Sequence, residues 1–125
     1  MKTNTEDKQK FLINCCDGAN DIERATVSFV MALASVTNNA ETAVFATSDA
    51  AGLCVRGGTD ELIADGYEPL SGLVDEFVEN GGKIWLCPVC AKAKGITSDI
   101  LRAGVEIAGV PRMMEFIASG ARLLA

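Results

Sequence analysis

Two cysteines three residues apart, Cys87 and Cys90, form the strongest chemical signal in the sequence. They stand in the stretch WLCPVCAKAKG, where an apolar run of strand type ends and a short helix is predicted to begin. A thiol at the start of a helix lies near free backbone N–H groups, and Lys92 and Lys94 add positive charge nearby. Both influences favour the thiolate form, so we expect Cys87 to act as a sulfur nucleophile.

An alternative is that both residues are ordinary core thiols, because a free cysteine packs as a small hydrophobe.

The chain has five cysteines, and two of them, Cys15 and Cys16, are neighbours, which is not the pattern of a secreted disulfide framework. We therefore expect reduced thiols. Core packing or loop lining explains Cys15, Cys16 and Cys54 when each is taken singly, and Cys54 is the best candidate for a helper of Cys87.

The sequence contains no histidine, which excludes Ser-His and Cys-His hydrolases and every His-ligated metal site. A zinc site would need two further ligands from the other three cysteines, and there is no second C-x-x-C pair. The glycines of the stretch 52–66 form neither a G-x-G-x-x-G nor a P-loop pattern. We therefore expect neither a metal nor a cofactor.

The composition is that of an ordinary globular chain, with 49% apolar and 22% charged residues among 125. We expect one domain over residues 1–125, with a flexible polar start at residues 1–9. The net charge of -6 and the lack of a basic run argue against nucleic acid as a partner. The first ten residues have no apolar core, and no later apolar run approaches a membrane span of about 20 residues, so we expect a cytoplasmic protein.

Short apolar runs alternate with segments of helical periodicity along the chain. The runs that predict strands are residues 11–16, 42–47, 83–87, 105–108 and 121–124. The helical segments are residues 20–38, 70–79, 89–94 and 111–119, with a shorter one after Thr97. The first helix is predicted to begin with a capping box formed by Asn20 and Glu23.

This alternation predicts an α/β fold with a mainly parallel sheet covered on both faces. In such sheets, ligands and reactive groups gather outside the carboxyl ends of the strands. Cys15, Cys16 and Cys87 all stand at the ends of predicted strands. Position alone therefore favours a cysteine site at this edge.

In their order, five segments of the chain resemble the DsrE/DsrF-like family, which includes TusD-type sulfur-relay and YchN-type proteins. The resemblance extends over nearly the whole chain, and the segments that carry it are FLINCCDG, GGTDELIADG, PLSGLVDEFVENGGKIWLC, CPVCAKAKGI and VEIAGVPRMMEFI. It implies a three-layer α/β/α fold around a five-stranded parallel sheet. It also implies a homo-oligomer, as a dimer, trimer or hexamer.

Sulfur carriers of this family hold a persulfide on a cysteine just after the third strand, eight residues before a glycine. Cys87 and Gly95 have this separation. The resemblance therefore implies that Cys87 accepts sulfur from a donor protein and passes it to an acceptor protein, as a sulfurtransferase would. The TusD-type pattern has no equivalent of Cys90, although other members have a second cysteine there, so its role stays open.

Two other functions remain as alternatives. The stretch Cys87-Pro88-Val89-Cys90 is similar to the motif of a glutaredoxin-like dithiol oxidoreductase, although that motif normally follows the first strand and here it follows the third. The second alternative is a non-catalytic, oligomeric binding subunit, because several members of the resembled family lack the cysteine.

Overall fold

The centre of the fold is a five-stranded sheet in which every neighbouring pair of strands is parallel. The computed structural model describes residues 8–124, and its strands are Lys10–Cys15 (β1), Glu41–Ala46 (β2), Lys83–Leu86 (β3), Val105–Ile107 (β4) and Arg122–Leu124 (β5). Their order across the sheet is β4-β3-β2-β1-β5. Each strand lies within one residue of its predicted bounds, and the predicted α/β class with a five-stranded parallel sheet is confirmed.

The strands are connected by α-helices at Ile22–Thr37 (α1), Leu70–Glu79 (α2), Pro88–Ala93 (α3) and Val110–Ala118 (α4), and by short 3₁₀-helices at Ser48–Cys54 and Ser98–Ile100. The predicted cap of α1 is wrong by one residue. Asp21, not Asn20, caps this helix, and its side-chain oxygen accepts the N–H of Arg24 at 3.1 Å. Asn20 belongs to the preceding turn, where its side chain accepts the N–H of Gly18 at 2.7 Å.

The predicted flexible start, residues 1–9, lies outside the described residues except for Lys8 and Gln9. The carbonyl of Gln9 accepts a hydrogen bond from the N–H of Glu41 at 2.8 Å, so contact with the sheet begins at residue 9. The sheet contains strands from near both ends of the described residues, since β1 begins at Lys10 and β5 ends at Leu124. The single domain over residues 1–125 stays a prediction.

The two faces of the sheet are covered unequally. α1, α2 and α3 pack on one face over the larger core, where the rings of Phe29 and Phe77 meet edge to face with centroids 5.9 Å apart. α4 packs on the other face over a smaller core, in which Trp85 and Phe116 meet edge to face at 5.4 Å. The side on which each helix packs follows from the right-handed crossovers between parallel strands. Those from β1 to β4 advance in one direction, whereas the connection to β5 returns to the opposite edge and therefore crosses the other face.

The change of face occurs between β3 and β4. The chain leaves β3 into α3 on the larger core and leaves β4 into α4 on the smaller core. Where two neighbouring strands lead to opposite faces, a crevice forms outside their carboxyl ends, and ligands bind there in open α/β sheets. Cys87 follows β3 at this point. The sheet topology therefore places the predicted nucleophile where chemistry is expected.

Candidate functional site

Cys87 is held at the end of β3 by backbone hydrogen bonds on both sides. Its N–H donates to the carbonyl of Ala46 at 3.1 Å, and its carbonyl accepts the N–H of Ala91 at 2.9 Å, which is the first bond of α3. Pro88 takes the first helical position, where no N–H is needed. The thiol thus stands at a strand-to-helix junction and is partly exposed.

The pKa of Cys87 is lowered from its ordinary value. Partial burial acts in the opposite direction, but it is outweighed by hydrogen bonds from the backbone N–H groups of Cys90 and Val89 and from the Cys90 side chain. All of these donors come from the first turn of α3. The thiolate, which is the nucleophilic form of cysteine, is therefore favoured at this position.

Cys90 is partly buried, and its side chain is hydrogen-bonded to the start of the 3₁₀-helix that follows β2. Its Sγ accepts a hydrogen bond from the backbone N–H of Ser48 at 3.3 Å. The Cys90 side chain packs against the larger core, whereas that of Cys87 packs against the smaller core on the α4 face. The two thiols therefore meet at the carboxyl edge of the sheet, each supported by one of the two cores.

The turn after α3 explains the glycine that follows the C-x-x-C stretch. Gly95 has a φ of 69°, a left-handed conformation that glycine adopts without a side-chain penalty. Next to it, the N–H of Ile96 donates to the carbonyl of Ala91 at 2.8 Å, as in a Schellman ending. Gly95 thus ends the short helix whose first turn supplies the hydrogen bonds to Cys87.

The two lysines expected to support the thiolate are not among the groups that shift the pKa of Cys87. Lys94 forms an ion pair with Asp49, with Nζ and Oδ1 3.9 Å apart, and Lys92 is exposed in the last turn of α3. The predicted contribution of the lysines is therefore not supported, whereas that of the helix N–H groups agrees with the hydrogen bonds from Val89 and Cys90. The groups that act on Cys87 are short-range hydrogen-bond donors. Charges on exposed side chains act less strongly, because dissolved salt screens them.

Cys54 and Cys15 belong to the larger core. Burial raises the pKa of Cys54 to about 12, and the charges that act on it are those of Cys15 and Arg102. Burial likewise raises the pKa of Cys15. Because Cys54 is buried and stays a thiol near neutral pH, the structure does not support its predicted role as a helper of Cys87.

Cys16 is exposed, although its neighbour Cys15 is buried, because β1 ends at Cys15 and Cys16 lies beyond the end of the strand. Its Sγ accepts hydrogen bonds from Nδ2 of Asn14 at 3.6 Å and from Oγ1 of Thr47 at 3.5 Å. Thr47 and Ser48 therefore contact two different thiols, Cys16 and Cys90. The sequence predicts packing or loop lining for Cys16, and strand alternation does not separate it from Cys15, because both faces of β1 are covered by a core.

Two findings on the described part of the chain bear on cofactors and membranes. Among residues 8–124, no group of three or more Cys, Asp, Glu or His residues is arranged to hold a metal ion. Across the same residues, no helix is long and apolar enough to cross a membrane.

The described residues form an α/β domain with a five-stranded parallel sheet, and a partly exposed cysteine whose pKa is lowered follows its third strand. Comparison with family models then gives the family. The model of the DsrE/DsrF-like family matches residues 9–125, so the chain belongs to this family. The resemblance stated from the sequence is confirmed.

Two curated proteins are similar in sequence to this chain. The uncharacterized protein MJ0760 of Methanocaldococcus jannaschii is 30% identical over 113 residues, which are 90% of this chain and 41% of that protein. The uncharacterized protein MK0008 of Methanopyrus kandleri is 24% identical over 95 residues, which are 76% of this chain and 75% of that protein. The chain thus spans less than half the length of the first relative and three quarters of the second.

Solved structures share the fold at low sequence identity. The ychN protein from E. coli superposes with a TM-score of 0.76 at 22% identity, over 93% of this chain and 99% of that one. The protein of unknown function MTH1491 from Methanobacterium thermoautotrophicum superposes with a TM-score of 0.67 at 18% identity, over 94% of this chain and 98% of that one. These similarities support the fold.

Proposed function

We propose that the protein is a cytoplasmic sulfur carrier that accepts sulfane sulfur on Cys87 and passes it to a partner protein. The observation that supports this most is the lowered pKa of a partly exposed thiol at the crevice between β3 and β4. Membership of the DsrE/DsrF-like family agrees with it. The position after the third strand is the one at which carriers of this family hold sulfur.

Sulfur transfer through Cys87 needs no histidine and no cofactor. The Cys87 thiolate attacks the outer sulfur of a donor persulfide R–S–S–H, so that Cys87–S–S–H forms and the thiolate R–S⁻ leaves. An acceptor thiolate then attacks the outer sulfur of Cys87–S–S–H and releases the Cys87 thiolate. The N–H groups of Val89 and Cys90 stabilise negative charge on the Cys87 sulfur, which makes it a better leaving group in the second step.

A dithiol function is the second candidate, because the Cys90 side chain is within hydrogen-bonding reach of Cys87. In this reaction the Cys90 thiolate attacks the inner sulfur of Cys87–S–S–H. A Cys87–Cys90 disulfide forms and HS⁻ leaves, after which an external dithiol must reduce the disulfide. The same pair could instead reduce disulfides as a glutaredoxin-like enzyme does.

Single substitutions of the two cysteines separate these functions. The wild type, Cys87→Ser and Cys90→Ser are incubated with a small-molecule persulfide, and added sulfur is located by peptide mass mapping after alkylation. For a carrier, we expect one added sulfur atom on Cys87 in the wild type and in Cys90→Ser, whereas the corresponding peptide of Cys87→Ser, which still holds Cys90, gains none. We also expect more persulfide to persist in Cys90→Ser, because the thiol that could discharge it has been removed.

Disulfide reduction by the same three proteins tests the rival function. A glutaredoxin-like enzyme loses turnover in both variants, because each thiol has a role in the cycle. Wild-type protein that reduces disulfides rapidly but never gains sulfur would overturn the carrier proposal. A protein that does neither would point to a non-catalytic binding subunit.

We also propose that the protein forms a homo-oligomer through its α4 face and docks donor and acceptor proteins at the carboxyl edge. Val110 and Met114 are 50% and 53% exposed and lie one turn apart on α4, while Leu123 of β5 is 53% exposed. Trp85 on this face has a buried indole N–H without a hydrogen-bond partner among the described residues. Apolar surface of this kind is commonly covered by a subunit contact.

A further inference from the structure

A second candidate site lies on the same edge of the sheet as Cys87 but two strands away, at the end of β1. A cleft of about 390 Å³ opens there between the strand end and one side of α1. This volume is within the range of small-molecule sites, which begins at about 300 Å³. The cleft is therefore large enough for an amino acid or a small thiol compound.

The thiol of Cys16 lines this cleft and is fixed in position by its neighbours. Asn14 and Thr47 both donate hydrogen bonds to its Sγ, one from the same strand and one from the end of the adjacent strand. Cys16 is exposed, in contrast to the buried thiols of Cys15 and Cys54. A small molecule in the cleft would therefore meet one accessible, oriented sulfur.

The charges of the cleft indicate which small molecule fits. Arg24 supplies a cation, while Asp17 and Glu23 supply carboxylates. Arg24 also pairs with Asp21 over 3.5 Å, but its side chain is 78% exposed, and such a surface pair holds it only weakly. Charges of both signs around an apolar wall that includes Met31 match a zwitterion, whose carboxylate would face Arg24 and whose ammonium would face the acidic side chains.

We propose that this cleft binds a zwitterionic amino-acid thiol in its persulfide form, and that Cys16 accepts its outer sulfur. In this step the Cys16 thiolate attacks the outer sulfur of R–S–S–H. A new S–S bond forms to give Cys16–S–S–H, the original S–S bond breaks, and R–S⁻ leaves, with no net oxidation or reduction. The site is separate from Cys87 and does not depend on its loading.

The test uses the full chain carrying Cys87→Ser and Cys90→Ser, so that the site proposed above cannot contribute. The probes are cysteine persulfide, which carries an ammonium and a carboxylate, and hydroxyethyl persulfide, which carries neither group. After trapping with iodoacetamide, fragmentation of the peptide that holds Cys15 and Cys16 locates the added sulfur. We expect one sulfur atom on Cys16, transferred faster from cysteine persulfide than from hydroxyethyl persulfide.

Substitution of the arginine tests the recognition. In this background Arg24→Gln should slow transfer from cysteine persulfide about tenfold, which corresponds to about 1.4 kcal/mol for one lost charge-assisted contact. It should leave transfer from hydroxyethyl persulfide unchanged. Arg122→Gln is the matched control, because Arg122 pairs with Phe11 near the opposite end of β1 and is exposed.

Several outcomes would overturn the proposal. They are sulfur on Cys15 before Cys16, equal rates with the two probes, and an Arg24→Gln variant that behaves like Arg122→Gln. Loading of Cys87 is measured separately on the wild-type protein. Failure of the Cys16 site and failure of the carrier function are therefore distinguished by which peptide gains sulfur.

Discussion

The backbone N–H of Ser48 donates a hydrogen bond to Sγ of Cys90 over 3.3 Å. Ser48 has a φ of 53°, in the left-handed region that residues other than glycine seldom adopt, and such conformations are concentrated at functional sites. The preceding residue, Thr47, contacts Cys16 through its hydroxyl. The turn after β2 thus donates hydrogen bonds to two thiols, Cys16 after β1 and Cys90 in the helix after β3.

The first prediction concerns the reactivity of the five thiols. Cys87 should react with iodoacetamide before Cys15 and Cys54, because its pKa is lowered whereas burial raises the pKa of the other two. Peptide mapping after limited alkylation at neutral pH measures the order. Unfolded protein is the control, since all five thiols should then react at similar rates. Earlier labelling of Cys54 in the folded protein would contradict the structure.

The pH dependence of this reaction has a definite sign. The alkylation rate of Cys87 follows its thiolate fraction, so its midpoint should lie below that of an unperturbed thiol. Because the pKa is lower in the folded state, the thiolate stabilises the fold above the unfolded pKa. This contribution is lost as the pH falls through the folded pKa. A midpoint above that of the unfolded chain would show that burial outweighs the hydrogen bonds.

The second prediction concerns the start of α1. Asp21→Ala should lower the free energy of unfolding by about 1 kcal/mol, because the side-chain acceptor for the N–H of Arg24 is lost. Asp21→Asn keeps a side-chain oxygen and should retain most of the stability. Urea denaturation of the two variants measures the difference. Equal losses in both would mean that the charge of Asp21, rather than its hydrogen bond, supports the helix.

The third prediction concerns assembly. Met114→Glu should shift the protein towards monomer in light scattering at micromolar concentration, because it places a charge in the exposed apolar stripe of α4. Glu115→Gln is the control, since Glu115 is already polar and exposed on the same helix. A wild-type protein that is monomeric under these conditions would refute the proposed homo-oligomer.

The sequence was sufficient to predict most of the elements that carry the site. Apolar runs of strand length and the alternation with helices identified all five strands, since local periodicity reports local burial. The family resemblance added the three-layer arrangement and the sulfur-accepting role expected of Cys87. The cap of α1 was missed because Asn20 and Asp21 are both good capping residues, and only the conformation of the turn decides between them.

The roles of the individual thiols were beyond the sequence. Cys54 stands in a glycine-rich segment that is typical of a loop, yet the fold places it in the larger core. Cys15 and Cys16 are adjacent in the sequence but differ in environment. Cys15 is buried in that core, whereas Cys16 is exposed and lines the cleft at the end of β1. The lysines near Cys87 are close in sequence, but the donors that shift its pKa belong to the first turn of α3.

The sequence by itself determined the order of strands and helices, the family and the presence of a cysteine at the end of β3. Local periodicity and a characteristic series of segments are sufficient for these conclusions. The tertiary structure decided which thiols are accessible, what donates to each sulfur and how the faces of the sheet are covered. These properties depend on contacts such as Ser48 to Cys90, 42 residues apart along the chain, and only the folded sheet brings such residues together.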